Sequence, residues 1–133
     1  MTMREFVKKN KIRINVEWAE RNPSMIEDAW SRTANHYKTI LKKDNKQLTV
    51  YFSMGSALTN EPTTEDVLDS LALDGSIYLN NYSFEDFCHE FGYNEDSRKA
   101  EKLYNTILNQ AKKTEKFLGT ELFNQLVYDV ERL

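Results

Sequence analysis

The sequence predicts an α+β fold, with a small antiparallel sheet of about three strands in the N-terminal half packed against a C-terminal layer of about four helices. Two observations carry this expectation. Before residue 55, apolar and polar residues alternate in separate stretches, the period-2 pattern of half-buried strands. After residue 62, apolar residues recur at steps of three and four behind capping residues, the pattern of amphipathic helices. Strands followed by helices are the mark of an α+β layer architecture.

Ile12, Ile14, Val16 and Trp18 alternate with Arg13, Asn15 and Glu17, which predicts the first strand. Arg21-Asn22-Pro23-Ser24 breaks it, and Ser24 to Trp30 forms a helical turn or a loop. The second strand runs through His36 to Lys42, and the third through Leu48 to Met54. Lys43-Asp44-Asn45-Lys46 between them is a hairpin tip. Leu48, Val50, Phe52 and Met54 face the core, and Gly55 ends the strand.

Pro62, Glu65 and Asp66 start a helix carrying Val67, Leu68, Leu71 and Leu73, which Asp74-Gly75 is expected to close. Ser83 begins a short helix with Phe84, Phe87, Cys88 and Phe91 on one face and Gly92 as its C-cap. Asp96 or Ser97 caps a long helix carrying Ala100, Leu103, Tyr104, Ile107, Leu108 and Ala111. Gly119 closes it near Leu118, and a last stripe follows through Leu122, Phe123, Leu126, Val127, Val130 and Leu133.

A chain of 133 residues is expected to be one domain, 1–133. It buries roughly two-thirds of its unfolded surface, enough for a core without covalent staples. No apolar run reaches the roughly 18 residues of a membrane span. Residues 1–9 lack the apolar segment of a secretory signal. The lone Cys88 fits a reducing, cytoplasmic setting.

Charge is segregated. Residues 1–60 hold 11 Lys/Arg against 6 Asp/Glu, whereas residues 61–101 hold 2 against 11. An acidic segment of this kind offers a face to a basic partner. Helix capping is the plainer explanation for part of it, since Thr63-x-x-Asp66 and Ser83-x-x-Asp86 both have the spacing of capping boxes.

Catalytic and metal signatures are lacking. Cys88, His89 and His36 fall short of the four-ligand Cys/His set of a structural zinc site. Ser56 follows Gly55 without the flanking pattern of a nucleophile elbow. Asp66, Asp69 and Asp74 form no calcium loop, and the four glycines form no phosphate cradle. No catalytic residue, metal or cofactor is therefore expected, and the protein is expected not to be an enzyme.

Several segments together resemble a known group. They are Trp30 and His36-Tyr37, Phe52-Ser53-Met54-Gly55-Ser56, Pro62, Val67 to Ala72, and Phe84-Glu85-Asp86-Phe87-Cys88. The most specific is Gly92-Tyr93-Asn94-Glu95-Asp96-Ser97-Arg98-Lys99-Ala100-Glu101, with Tyr104 and Leu118-Gly119 behind it. Over roughly residues 30–119 the chain resembles a widespread group of small proteins encoded by bacteriophages, prophages and mobile elements. The resemblance transfers no catalytic residue. It implies an accessory protein of a class that includes anti-CRISPR inhibitors, residing in the cytoplasm of a bacterial host.

The expected function is stoichiometric inhibition of a host defence nuclease, of which a CRISPR effector is one form. Glu85, Asp86, Glu90, Glu95 and Asp96 are the expected partner-binding residues. The alternative is nucleic-acid binding in phage replication or regulation through a basic sheet face bearing Lys38, Lys42, Lys43 and Lys46. Lysines that blunt a sheet edge would look the same. No membrane partner is expected, and homodimerisation is compatible with either reading.

Overall fold

Alternation along the strands builds a three-stranded antiparallel meander in the order β1-β2-β3. The structure, a computed structural model, describes residues 1–18, 35–54 and 63–130. The strands are β1 (Arg13–Trp18), β2 (Asn35–Lys43) and β3 (Lys46–Met54). The register sets Ile14 beside Leu41 and Leu41 beside Leu48, then Val16 beside Thr39 and Thr39 beside Val50. Directly opposed residues share a face, so these two rows form the core side. Leu41, Thr39 and Val50 are buried there, with Ile14, Val16 and Leu48 packed around them. The hairpin turns through Asp44 and Asn45, with Asp44 at φ 56° supplying the left-handed residue that a tight turn requires. The Ser24–Trp30 segment, Gly55 and Ser56 lie outside the described residues, as do the side chains of Trp18, His36, Phe52 and Met54.

Five helices complete the described fold: α1 (Met3–Lys9), α2 (Thr64–Leu79), α3 (Phe84–Phe91), α4 (Arg98–Leu118) and α5 (Thr120–Tyr128). The first was not foreseen. Thr2 caps it by accepting from the Glu5 amide at 3.2 Å, and Met3 and Phe6 are buried on its inner side. Helix α1 packs on α2, α4 packs on α2 and on β3, and α5 packs on both α2 and α4. The main core joins Met3, Phe6, Leu41, Val50, Val67, Leu68, Leu71 and Leu126.

Helix α2 departs from the sequence expectation. It runs on through Asp74-Gly75 to Leu79 and ends at Asn80-Asn81, where Asn81 at φ 54° provides the left-handed stop. Leu73 is 41% exposed, and the buried face is completed by Ala72, Gly75 and Ile77. The reason is tertiary. Gly75 lies against Phe123 and Val127 of α5, so its missing side chain is what lets two helices approach.

Two polar groups sit where the core would favour apolar ones. The Thr39 hydroxyl is fully buried without a hydrogen-bond partner among the described residues. A stranded hydroxyl costs more than an apolar group of the same shape. Thr39→Val is therefore expected to raise stability by about 1 kcal/mol. Urea denaturation measures it, and a valine variant weaker than the parent would show that the hydroxyl is satisfied in solution.

Asp74 is partly buried in α2 and forms no hydrogen bond or ion pair with a described residue. Burial pushes its carboxyl up from 3.8 to about 8. Between those values the folded chain holds a proton that the unfolded chain has released, so stability falls as pH rises across that window. Some solvent contact remains, so Asp74→Asn is expected to add about 1–2 kcal/mol at pH 8 and nothing at pH 4. Unfolding curves at the two pH values check this. A gain equal at both would exclude titration of Asp74 as its source.

Candidate functional site

The acidic surface is built by local rules acting in sequence. Ser83 accepts from the Asp86 amide at 3.1 Å, while Asp86 Oδ2 accepts from the Ser83 amide at 3.2 Å, closing a capping box at the start of α3. Phe87 and Cys88 are buried beneath the helix, with Phe84 and Phe91 packed around them. Gly92 at φ 79° ends α3. Tyr93 then folds back to stack on Phe87, with ring centroids 5.2 Å apart and planes 10° from parallel. Asn94 Oδ1 accepts from the Asp96 amide at 2.9 Å, which tightens the turn, and Ser97 caps α4 by accepting from the Ala100 amide. Tyr104 of α4 donates from its hydroxyl to the Tyr82 carbonyl at 2.6 Å, tying the start of the segment to the long helix.

All five carboxylates expected to bind a partner are exposed: Glu85, Asp86, Glu90, Glu95 and Asp96. Residues 80–97 contain no lysine or arginine. Their local duties differ, however. Asp86 is committed to its cap, and Glu95 Oε1 lies 2.9 Å from His89 Nε2, bridging α3 to the turn. Glu85, Glu90 and Asp96 project as carboxylates without such a partner among the described side chains. Asp66, the other expected cap, closes an equivalent box with Thr63 at the start of α2.

Cys88 is a core residue. Burial, with a smaller contribution from the nearby Glu95 charge, raises its thiol above the ordinary range and disfavours a nucleophilic thiolate. Among the described residues, no three His, Cys, Asp or Glu side chains converge as metal ligands. No helix there is long and apolar enough to cross a membrane.

The four lysines proposed for nucleic acid do not share one face. Lys42 lies directly opposite both Arg13 and Gln47 on the side of the sheet away from the core, with half-buried Lys38 four residues along. Lys43 and Lys46 face one another at the hairpin end, one residue out of phase with Lys42, and Lys43 Nζ lies 3.4 Å from Asp44 Oδ2. The pleat explains the split, because adjacent residues point to opposite faces.

A second feature was not foreseen as a unit. Helix α1, the start of β1, the hairpin turn and the start of α2 border an open cleft of about 770 Å³. Arg4, Lys8, Lys11 and Arg13 line it together with Asp44 and Glu65. Arg4 Nε donates to Glu65 Oε1 at 2.6 Å, and this bond is the main reason the Glu65 carboxyl titrates below its ordinary range. The basic residues of α1 are visible in sequence, but their convergence on residues 44 and 65 is not.

Comparison with protein-family models, curated proteins and solved structures finds no match to this chain. The fold and its surfaces define an α+β protein with segregated charge.

Proposed function

We propose that the protein is a non-catalytic inhibitor that binds a host defence nuclease through the acidic face of α3 and the turn after it. One observation carries this reading: five exposed carboxylates cluster within residues 85–96, and residues 80–97 contribute no lysine or arginine. A face of that sign suits the basic channel through which a nuclease holds its nucleic acid. The resemblance to phage-encoded accessory proteins points to the same class of target, with a CRISPR effector as the form to test first.

The test uses a variant that keeps the cap. Glu85→Lys, Glu90→Lys, Glu95→Lys and Asp96→Lys are combined while Asp86 is retained. The parent is expected to co-purify with an effector complex and reduce its DNA cleavage at about one-to-one stoichiometry. The variant is expected to lose at least about tenfold in affinity while retaining the far-UV spectrum of the parent, because close charge pairs at interfaces are each worth about 1.5 kcal/mol or more. Undiminished binding by the folded variant would reject the acidic face as the contact.

Nucleic-acid binding is the second reading, through the outer sheet face that bears Lys38 and Lys42, since Lys43 and Lys46 lie on the opposite face. The Arg13–Lys42 pairing on the outer sheet face favours it, because it sets two cations side by side where a phosphate chain could cross.

A further inference from the structure

The basic cleft has properties that neither reading uses. Arg4 is held by Glu65, but the ammonium groups of Lys8 and Lys11 and the guanidinium of Arg13 form no hydrogen bond or ion pair with any described residue. Three cations without such a partner among the described residues therefore border one concavity, beside two carboxylates of which Asp44 is drawn toward Lys43.

The backbone at Lys11 adds a second observation. The amides of Lys11 and Ile12 donate back to the carbonyls of Lys8 and Val7 at 3.3 and 3.0 Å, the paired bonds of a left-handed helix stop. Lys11 occupies its left-handed position at φ 53°. The chain places Asn81 at the same point after α2 and Gly92 after α3, residues that tolerate this conformation. At α1 it places a lysine, at a conformational cost, on the wall of the cleft.

We propose that this cleft binds a run of phosphate groups, with Lys8, Lys11 and Arg13 as the contacting cations. Two sources share that chemistry: a free polyphosphate group, as on a nucleoside triphosphate, and the phosphodiester chain of a single strand. Arg13 is shared between the cleft and the sheet face that bears Lys42, so a strand leaving the cleft has a cationic path. The Arg4–Glu65 pair narrows the charge available, and a bound anion would compete with Glu65 for Arg4. The proposal stands independently of the acidic-face reading.

The full chain is titrated at low salt with inorganic tripolyphosphate, adenosine triphosphate and a fluorescein-labelled 15-nucleotide oligo-dT. Saturable binding of at least one probe is expected. Lys8→Glu with Lys11→Glu is expected to weaken it at least about tenfold. Three phosphate contacts on a single strand give a log–log salt slope of about −2. Tripolyphosphate and adenosine triphosphate binding as tightly as the oligonucleotide would assign a discrete polyphosphate, and binding of the oligonucleotide alone would assign the strand. Lys11→Gly separates binding from folding: it removes a cation and relieves the left-handed strain, so it is expected to bind several-fold more weakly while melting no lower than the parent. Glu65→Gln, which frees Arg4, is expected to bind more tightly. No saturable binding of any probe, or binding unmoved by the double lysine variant, overturns the proposal.

Discussion

Phe87→Ala is expected to remove about 3–5 kcal/mol of stability, the range for emptying a buried aromatic site. Typical domains have only about 5–15 kcal/mol in total, so this one substitution brings the chain close to unfolding. Phe87 is 2% exposed and sits within 5.2–5.5 Å of the rings of Phe91, Tyr93 and Tyr104. It thus joins α3, the turn and α4 at a single point. Truncation strips the packing partner from the inner faces of Phe91, Tyr93 and Tyr104 together, so three rings lose their contact at once. Urea denaturation gives the loss, and near-UV circular dichroism reports the disordered ring cluster. If the proposed acidic-face contact holds, partner binding should weaken in the same variant, whereas Phe87→Leu should retain most of both. A loss below about 1 kcal/mol would mean that the cluster does not anchor α3.

Gly75→Ala is the second large effect, and its sign is opposite to the local expectation. In an exposed helix interior, alanine stabilises relative to glycine by about 1 kcal/mol. Here a Cβ would lie 2.6 Å from Val127 Cγ2 and 2.9 Å from Phe123 Cζ, both closer than packed carbon atoms permit. Phe123 is fully buried, so its ring could withdraw only by pressing on the packed core around it. Overpacking of this kind costs up to about 3 kcal/mol, so a net loss of up to about 2 kcal/mol is expected after the propensity gain. Val127→Ala supplies the control. In that background the principal clash is gone, and Gly75→Ala should cost markedly less or become stabilising, a coupling that a double-mutant cycle measures. Equal losses in the two backgrounds would rule out the α2–α5 contact as the cause.

These two residues mark the boundary of what a linear reading reaches. The segment around Phe87 was legible because each signal acts within a few residues. Ser83 and Asp86 form their reciprocal cap, Gly92 takes the left-handed stop, and Ser97 starts α4. The spacing of Phe84, Phe87, Cys88 and Phe91 gave the buried side of α3 for the same reason. In the sheet, alternation alone placed Leu48 and Val50 toward the core, since a strand has only two faces to choose between.

Gly75 was misread because the local rule and the tertiary requirement use the same residue. After a polar Asp74, a glycine has the look of a helix end, and only the approach of α5, some fifty positions away, turns it into a packing site. Helix α1 escaped notice because a seven-residue helix is too short to display periodicity, although Thr2-x-x-Glu5 has the spacing of a cap. The charge pattern divides in the same way. That residues 80–97 carry only negative formal charge is a property of the sequence, and exposure on a short amphipathic helix follows from it locally. The convergence of Arg4, Lys8, Lys11 and Arg13 on one cleft depends on docking α1 against α2 and the hairpin turn, and Arg4 and Glu65 meet across 61 positions of chain. Element type, caps and the sign of each surface were thus written in short-range chemistry. Which helices touch, where glycine is obligatory, and which cations share a cavity were decided by long-range packing, whose partners no local pattern names.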